Sequence, residues 1–346
     1  MKLTVAAENP LERVALALGI PPVALMDTHL SFLRARAIMV ATRLGVFDAL
    51  VSGASTADAV AARCETAPPA TEKLLNALVG CGYLRFAAGR YRLAPQARKW
   101  LTSDSPHSIR DKVLFEFIEW ALVERIEDYV RDGRPLDIHG WDSDDHWAHY
   151  QRAMRALAAL AADEVVRRTP MPRGATRLLD VGGAHGYLSV AMCRRYPDLN
   201  AVVFDLPAAV KQAAPILARE GMGARVVHRA GDARSDDFGS GAWDVVLVSL
   251  LLHHFDAATN RDVLQRAARA LRPGGACVVL EIVRPRSPNE AGQVGALLDL
   301  YYALTSESGT WSIDEMTRWQ RDAGLTPQRL IRLRTAPGAC EVIARK

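Results

Sequence analysis

The chain has 346 residues, 49% of them hydrophobic, which is enough for two domains and a large core. Its formal net charge of +4 comes from 43 Lys+Arg and 39 Asp+Glu spread without a basic tract, which excludes a nucleic-acid partner as the leading reading. No apolar run approaches the ~18 residues of a membrane span, and the N-terminal residues lack a signal-peptide layout, so no membrane partner is expected. The cysteines, Cys64, Cys81, Cys193, Cys277 and Cys340, are odd in number and form no CxxC pair. They point to a reducing, cytoplasmic setting, with no disulfide framework and no metal site.

The first ~100 residues read as helices. An amphipathic helix is expected over Leu30 to Leu50, and another starts at Thr56. Pro68-Pro69 breaks the chain, and a further helix runs from Thr71, its cap, to Gly80. Tyr83 to Phe86 and Tyr91 to Leu93, around Ala87-Ala88-Gly89-Arg90, read as a hairpin. Three helices and a hairpin make a winged-helix pattern. Its third helix offers Lys73 as its one cation and the face Leu74, Leu75, Leu78 and Val79, which suits a protein contact better than DNA. Residues 107–170 read as helical, with a turn at Asp132-Gly133-Arg134-Pro135. Strands then alternate with helices: strands at 177–181, 201–205, 225–229, 243–248 and 276–282, helices at 187–196, 207–220 and 259–271. That alternation gives a mostly parallel sheet with helices on both faces. The fold class is α/β, a Rossmann-like domain behind a helical, winged-helix-like one. The expected boundaries are 1–105 for a dimerisation domain, 106–170 for a helical linker contributing to the substrate pocket, and 171–346 for the catalytic domain.

The most informative stretch is Leu178-Leu179-Asp180-Val181-Gly182-Gly183-Ala184-His185-Gly186. A strand runs into an acid, then a glycine-rich turn, then a helix, and the next strand ends in Asp205. Glycines let backbone approach a ligand, and the second acid can take ribose hydroxyls, so the pattern reads as a nucleoside site. Ligands in open α/β sheets bind at the carboxyl ends of the strands. Those ends also carry Gly231-Asp232-Ala233, Ser249 with His253 and His254, and Glu281. There is no Walker lysine and no arginine cluster for a pyrophosphate. Several acids without such cations favour a positively charged nucleoside, S-adenosylmethionine, over NAD or ATP.

Leu179-Asp180-Val181-Gly182-Gly183, Phe204-Asp205-Leu206-Pro207, Gly231-Asp232, Leu252-His253-His254-Phe255 and Arg272-Pro273-Gly274-Gly275 occur in that order. Together with Asp111-Lys112-Val113-Leu114 and the stretch from Ile138-His139-Gly140 to Met154, the chain resembles the small-molecule O-methyltransferases of the plant caffeate type and their bacterial natural-product relatives. The resemblance covers nearly the whole chain. It implies an intertwined homodimer built by the N-terminal domain, S-adenosylmethionine as cofactor and a small, aromatic secondary metabolite as acceptor. It places Asp180, Gly182, Gly183, Asp205, Leu206, Asp232, Ala233 and Ser249 at the cofactor. Within that set, Asp205 would hold the ribose, and Asp232 with Ala233 would read the adenine. It implies His253 as general base, with Glu281 orienting it, and Phe117, Trp120, Met154 and Tyr302 around the acceptor.

Two departures from the family's pattern stand out. Its second acid next to the histidine has no counterpart in Ser308-Gly309-Thr310-Trp311-Ser312 unless Glu307 substitutes, and its lysine in the fourth loop appears as Ser249. His254 stands where the plant pattern has Asp, and reads as a helix-start residue or a second polar contact. Two other outcomes stay open at this point. One is a diverged member, with C- or N-methylation or non-methylating chemistry; the other is a winged-helix regulator that senses the cofactor.

Overall fold

The structure, a computed structural model, describes residues 3–136, 138 and 143–346. It divides into two compact units, with the boundary between Phe117 and Ile118. The first unit opens with α1 (Pro10–Ala17), whose N-cap Asn9 accepts from the Glu12 amide. α2 (Val23–Leu25) passes through a π-turn, Met26–Leu30, into α3 (Ser31–Arg43). The single helix expected over 30–50 is two helices. Gly45 takes φ +76°, a left-handed conformation that stops α3 and lets α4 (Val46–Ala49) start on a new axis. α5 (Ala57–Cys64) starts at Thr56, whose hydroxyl accepts from the Ala59 amide, as expected of a cap.

α6 (Pro68–Gly80) corrects two expectations. Pro68-Pro69 starts this helix instead of breaking the chain, because proline at the first helical position loses no hydrogen bond and brings the right φ. Thr71 is therefore inside the first turn, and its hydroxyl bonds back to the Ala67 carbonyl at 2.9 Å. Leu75 and Leu78 of this helix are fully buried with Phe47 and Val60, so half of the apolar face read as a partner surface fills the unit's own core. The hairpin β1 (Leu84–Ala87) and β2 (Arg90–Leu93), then α7 (Pro95–Trp100), complete the winged-helix pattern. α8 (Arg110–Val123) contains the boundary between the units.

The second unit continues with α9 (Ile126–Asp132), closed by left-handed Gly133, and the long α10 (Asp144–Arg168). Then come β3 (Arg177–Val181), α11 (Tyr187–Arg195), β4 (Asn200–Asp205), α12 (Pro207–Arg219), β5 (Val226–Ala230) and β6 (Trp243–Ser249). α13 (Ala257–Ala270), β7 (Leu271–Ile282), α14 (Pro288–Thr305), α15 (Ile313–Asp322), β8 (Thr326–Arg332) and β9 (Ala339–Arg345) follow. The sheet order is β5-β4-β3-β6-β7-β9-β8, parallel from β5 to β7 and antiparallel at β9 and β8. One apolar core, including Val165, Leu188 and Leu217, covers one face with α10, α11 and α12. A second, including Leu264, Met316 and Trp319, covers the other with α13 and α15. The chain leaves β3 for β4 on one side and later returns to β6 on the other. The crevice at the carboxyl ends of β3 and β6 is thus the switch point where such sheets bind ligands.

Candidate active site

The glycine turn after β3 is held from below and from the side. Gly182 has φ +71°, its amide donates to the Phe204 carbonyl at 2.8 Å, and a Cβ there would stand 2.8 Å from Leu251 Cδ1. Asp180 is buried beneath the turn, where it accepts from the Ser189 hydroxyl at 2.7 Å. Burial pushes its pKa up to about 7 against that hydrogen bond, with Asp205 adding to the rise. A Cβ on Gly183 would lie 2.5 Å from the Asp180 carboxyl carbon, so the glycine is what lets acid and turn share the space. His185 is buried, accepts from the Tyr187 amide at 3.0 Å through Nδ1 and bonds the Met154 carbonyl. Burial pushes its pKa down to about 3, so it is a neutral strut.

Above the turn opens a cavity of about 510 Å³. Gly182, Ala184, Asp205, Leu206, Asp232 and Ala233 line it, together with Leu250, Leu251 and Phe255 from the loop after β6. Asp205 accepts the amides of Ala184 and Leu206, each at 2.7 Å, one on each carboxylate oxygen. Each oxygen keeps a further lone pair for a hydroxyl. Burial pushes its pKa up to about 6, against those two amides. Asp232 is differently placed from a free reader of adenine. Its carboxylate is forked by the Arg234 guanidinium at 2.7 Å, which holds its pKa down. Asp180 and Gly183 support the turn and do not line the cavity. Ser249 pairs with Leu280 in the sheet and also stays off the cavity wall, which at this point is formed by Leu250, at φ +52°, and Leu251.

His253 lies in a short turn, Leu252–His254, after β6 and is 3% exposed. Its Nδ1 meets Glu281 Oε2 at 2.9 Å, and Glu281 Oε1 accepts the Leu252 amide at 2.7 Å. With an ionised Glu281 the proton sits on Nδ1 and Nε2 carries a lone pair, an assignment that follows from the hydrogen bond. The His253 ring packs against His254 at 4.0 Å and Tyr302 at 4.4 Å between centroids. His254, not His253, is the imidazole that lines the cavity. Its Nδ1 is 3.4 Å from the Ser306 hydroxyl. Glu307 lines the cavity with an exposed side chain and makes no hydrogen bond to His253.

The acceptor residues expected from the sequence fall in different places. Phe117 belongs to the first unit, where Arg43 and Arg36 lie over its ring at 3.7 and 4.6 Å. Trp120 and Met154 are half-buried and do not line the cavity. Tyr302 is half-buried against His253, and burial with Glu281 and Glu119 pushes its hydroxyl pKa up. His139 and Gly140 lie outside the described residues. The cavity wall includes several residues that the sequence reading passed over: Trp147, Tyr150 and Gln151 on α10, and Thr305 and Ser306 at the end of α14. Periodicity gave no signal for them, since aromatic and amide side chains on a helix read equally well as core or surface. Among the described residues no group of three or more His, Cys, Asp or Glu could hold a metal ion. Among the described residues no helix is long and apolar enough to cross a membrane.

A glycine turn under a cavity lined by a two-oxygen acid, with an acid-oriented histidine next to the cavity-lining His254, fits a nucleoside cofactor. Comparisons with known proteins agree. Residues 131–325 match the model of the O-methyltransferase domain, and residues 26–103 that of the O-methyltransferase dimerisation domain. The 3-hydroxy-5-methyl-1-naphthoate 3-O-methyltransferase of Streptomyces sahachiroi is 28% identical over 93% of this chain and 94% of its own. The N,N-dimethyltransferase OxyT of Streptomyces rimosus is 27% identical over 93% and 96%. The acetylserotonin O-methyltransferase of Mus musculus is 30% identical over 80% and 76%. The crystal structure of human N-acetylserotonin methyltransferase with SAM shares the fold at TM-score 0.82, with 21% identity over 99% of both chains. The chain belongs to the S-adenosylmethionine-dependent O-methyltransferase family.

Proposed function

We propose that the protein methylates a hydroxyl of a small, aromatic secondary metabolite, with His253 as general base. The observation that carries this is the Glu281–His253 pair, 2.9 Å apart, whose histidine adjoins the cavity-lining His254. Glu281 is 1% exposed and holds the ring in one tautomer. His253 Nε2 would then take the proton of the acceptor hydroxyl during methyl transfer. S-adenosylmethionine, when bound, supplies the methyl group activated by its sulfonium. Asp205 and the Gly182 turn would hold the nucleoside, and Leu250, Leu251 and Phe255 exclude water around the reacting atoms. The test is S-adenosylhomocysteine formation with a panel of phenols, one amine acceptor included because of the N,N-dimethyltransferase among the relatives.

One observation favours a second reading of the base: His254, not His253, lines the cavity. His253→Ala and His254→Ala separate the two. Under the main reading only the first drops turnover by the ~10²–10⁴-fold typical of a positioned base. The dimerisation-domain match over 26–103 supports a homodimer. The five unpaired cysteines support a reducing, cytoplasmic setting.

A further inference from the structure

Gln151 is the least explained side chain near the cavity. It is fully buried on α10 and lines the cavity, yet neither its Nε2 nor its Oε1 has a hydrogen-bond partner. Among the described residues it is the one buried side-chain amide unpartnered at both ends; buried Asn260 and Gln320 each spend their amide nitrogen on backbone carbonyls. Burying an amide without partners is costly, so such a group marks a place where a polar ligand completes the structure.

Its position identifies which part of a ligand it meets. Residues three and four apart on a helix share a face, so Gln151 faces the same way as Met154 and Arg155. The Met154 carbonyl is bonded by His185 of the glycine turn, and Arg155 lies over the Tyr187 ring, 4.3 Å from its centroid, at the start of α11. Gln151 is thus bolted to the glycine-turn end of the cavity, opposite in character to the nucleoside end marked by Asp232 and Ala233. An amide offers a donor and an acceptor side by side. The complementary ligand group is a carboxylate next to an ammonium, and the cofactor carries that pair on its amino-acid arm.

We propose that Gln151 binds the amino-acid arm of the cofactor, Nε2 donating to its carboxylate and Oε1 accepting from its ammonium. The proposal rests on the family's cofactor and is independent of the acceptor and of the base. Its test is calorimetric titration of the full chain with S-adenosylhomocysteine and with methylthioadenosine, a thioether nucleoside lacking that arm. Gln151→Leu is expected to weaken S-adenosylhomocysteine roughly 10- to 100-fold and methylthioadenosine less than about twofold, the loss that follows from removing one or two hydrogen bonds to charged groups. The ligand-free Gln151→Leu protein is also expected to melt higher than the wild type, because no orphaned amide remains. Gln151→Glu keeps the size and sets a carboxylate against the ligand's, so it is expected to show the same selective loss even if the leucine variant fails to fold. Equal weakening of both nucleosides, or unchanged affinity for S-adenosylhomocysteine in either folded variant, overturns the proposal. Loss of methyl transfer to every acceptor with this selectivity intact would instead count against the proposed reaction alone.

Discussion

At Asp205, proposed above to hold the nucleoside, burial also acts on the proton. Its carboxyl is pushed up to about 6, mainly by burial, while its two backbone donors pull the other way. Ribose hydroxyls bind the ionised form better. Affinity for S-adenosylhomocysteine should therefore rise as pH is raised through about 6, and Asp205→Asn should flatten that rise, both read by titration calorimetry. At Gly182 the limit is steric. Alanine there must take φ +71° and meet Leu251 at 2.8 Å, so Gly182→Ala should lose roughly 1–2 kcal/mol of stability by thermal melting and most of its nucleoside affinity. The places of Gly182 and Asp205 on the cavity wall were legible because one is fixed by a tight turn and the other by the carboxyl end of a strand. Ser249 was not, since a register position alone cannot say that Leu250 turns into the cavity at φ +52° and Ser249 stays in the sheet.

At the scale of elements, the central parallel strands β3 and β6 were readable as apolar runs because they are buried on both faces. β8 and β9 escaped the reading. β8 is an edge strand, Thr-Pro-Gln-Arg-Leu-Ile-Arg, mostly exposed and opened by a proline that only an edge tolerates. β9 carries Glu341 in its middle, which reads as a solvent-facing interruption, yet Glu341 is fully buried and within 2.6 Å of the Thr169 hydroxyl. Burial pushes its pKa up to about 7. The sign follows from the raised value. The folded state holds the proton more tightly than the unfolded one, so this group's contribution is present below about pH 4.5 and is lost as pH rises to about 7. Glu341→Gln keeps the neutral form at every pH. Its melting temperature should gain on the wild type across that window; a difference independent of pH would show that Glu341 is not protonated in the fold.

For the whole molecule, the two units divide the work: the winged-helix pattern carries the dimerisation-domain match, and the sheet unit carries the cavity. A homodimer should appear by light scattering, and a truncation to the sheet unit should lose it. Ligand at a hundredfold its Kd should stabilise the protein by about 2.7 kcal/mol, visible as a rise in melting temperature. The order of motifs along the chain made fold and cofactor class legible. The rest of the cavity wall was not, because it is assembled from α10, the loop after β6 and the end of α14, which only folding brings together. The measurement that bears most directly on the central claim uses S-adenosylmethionine with a labelled methyl group and a panel of phenols, comparing wild type with His253→Ala. The expected result is the label on an acceptor oxygen and a drop of ~10²–10⁴-fold in the variant. Undiminished transfer by His253→Ala, or label on no oxygen at all, would contradict it.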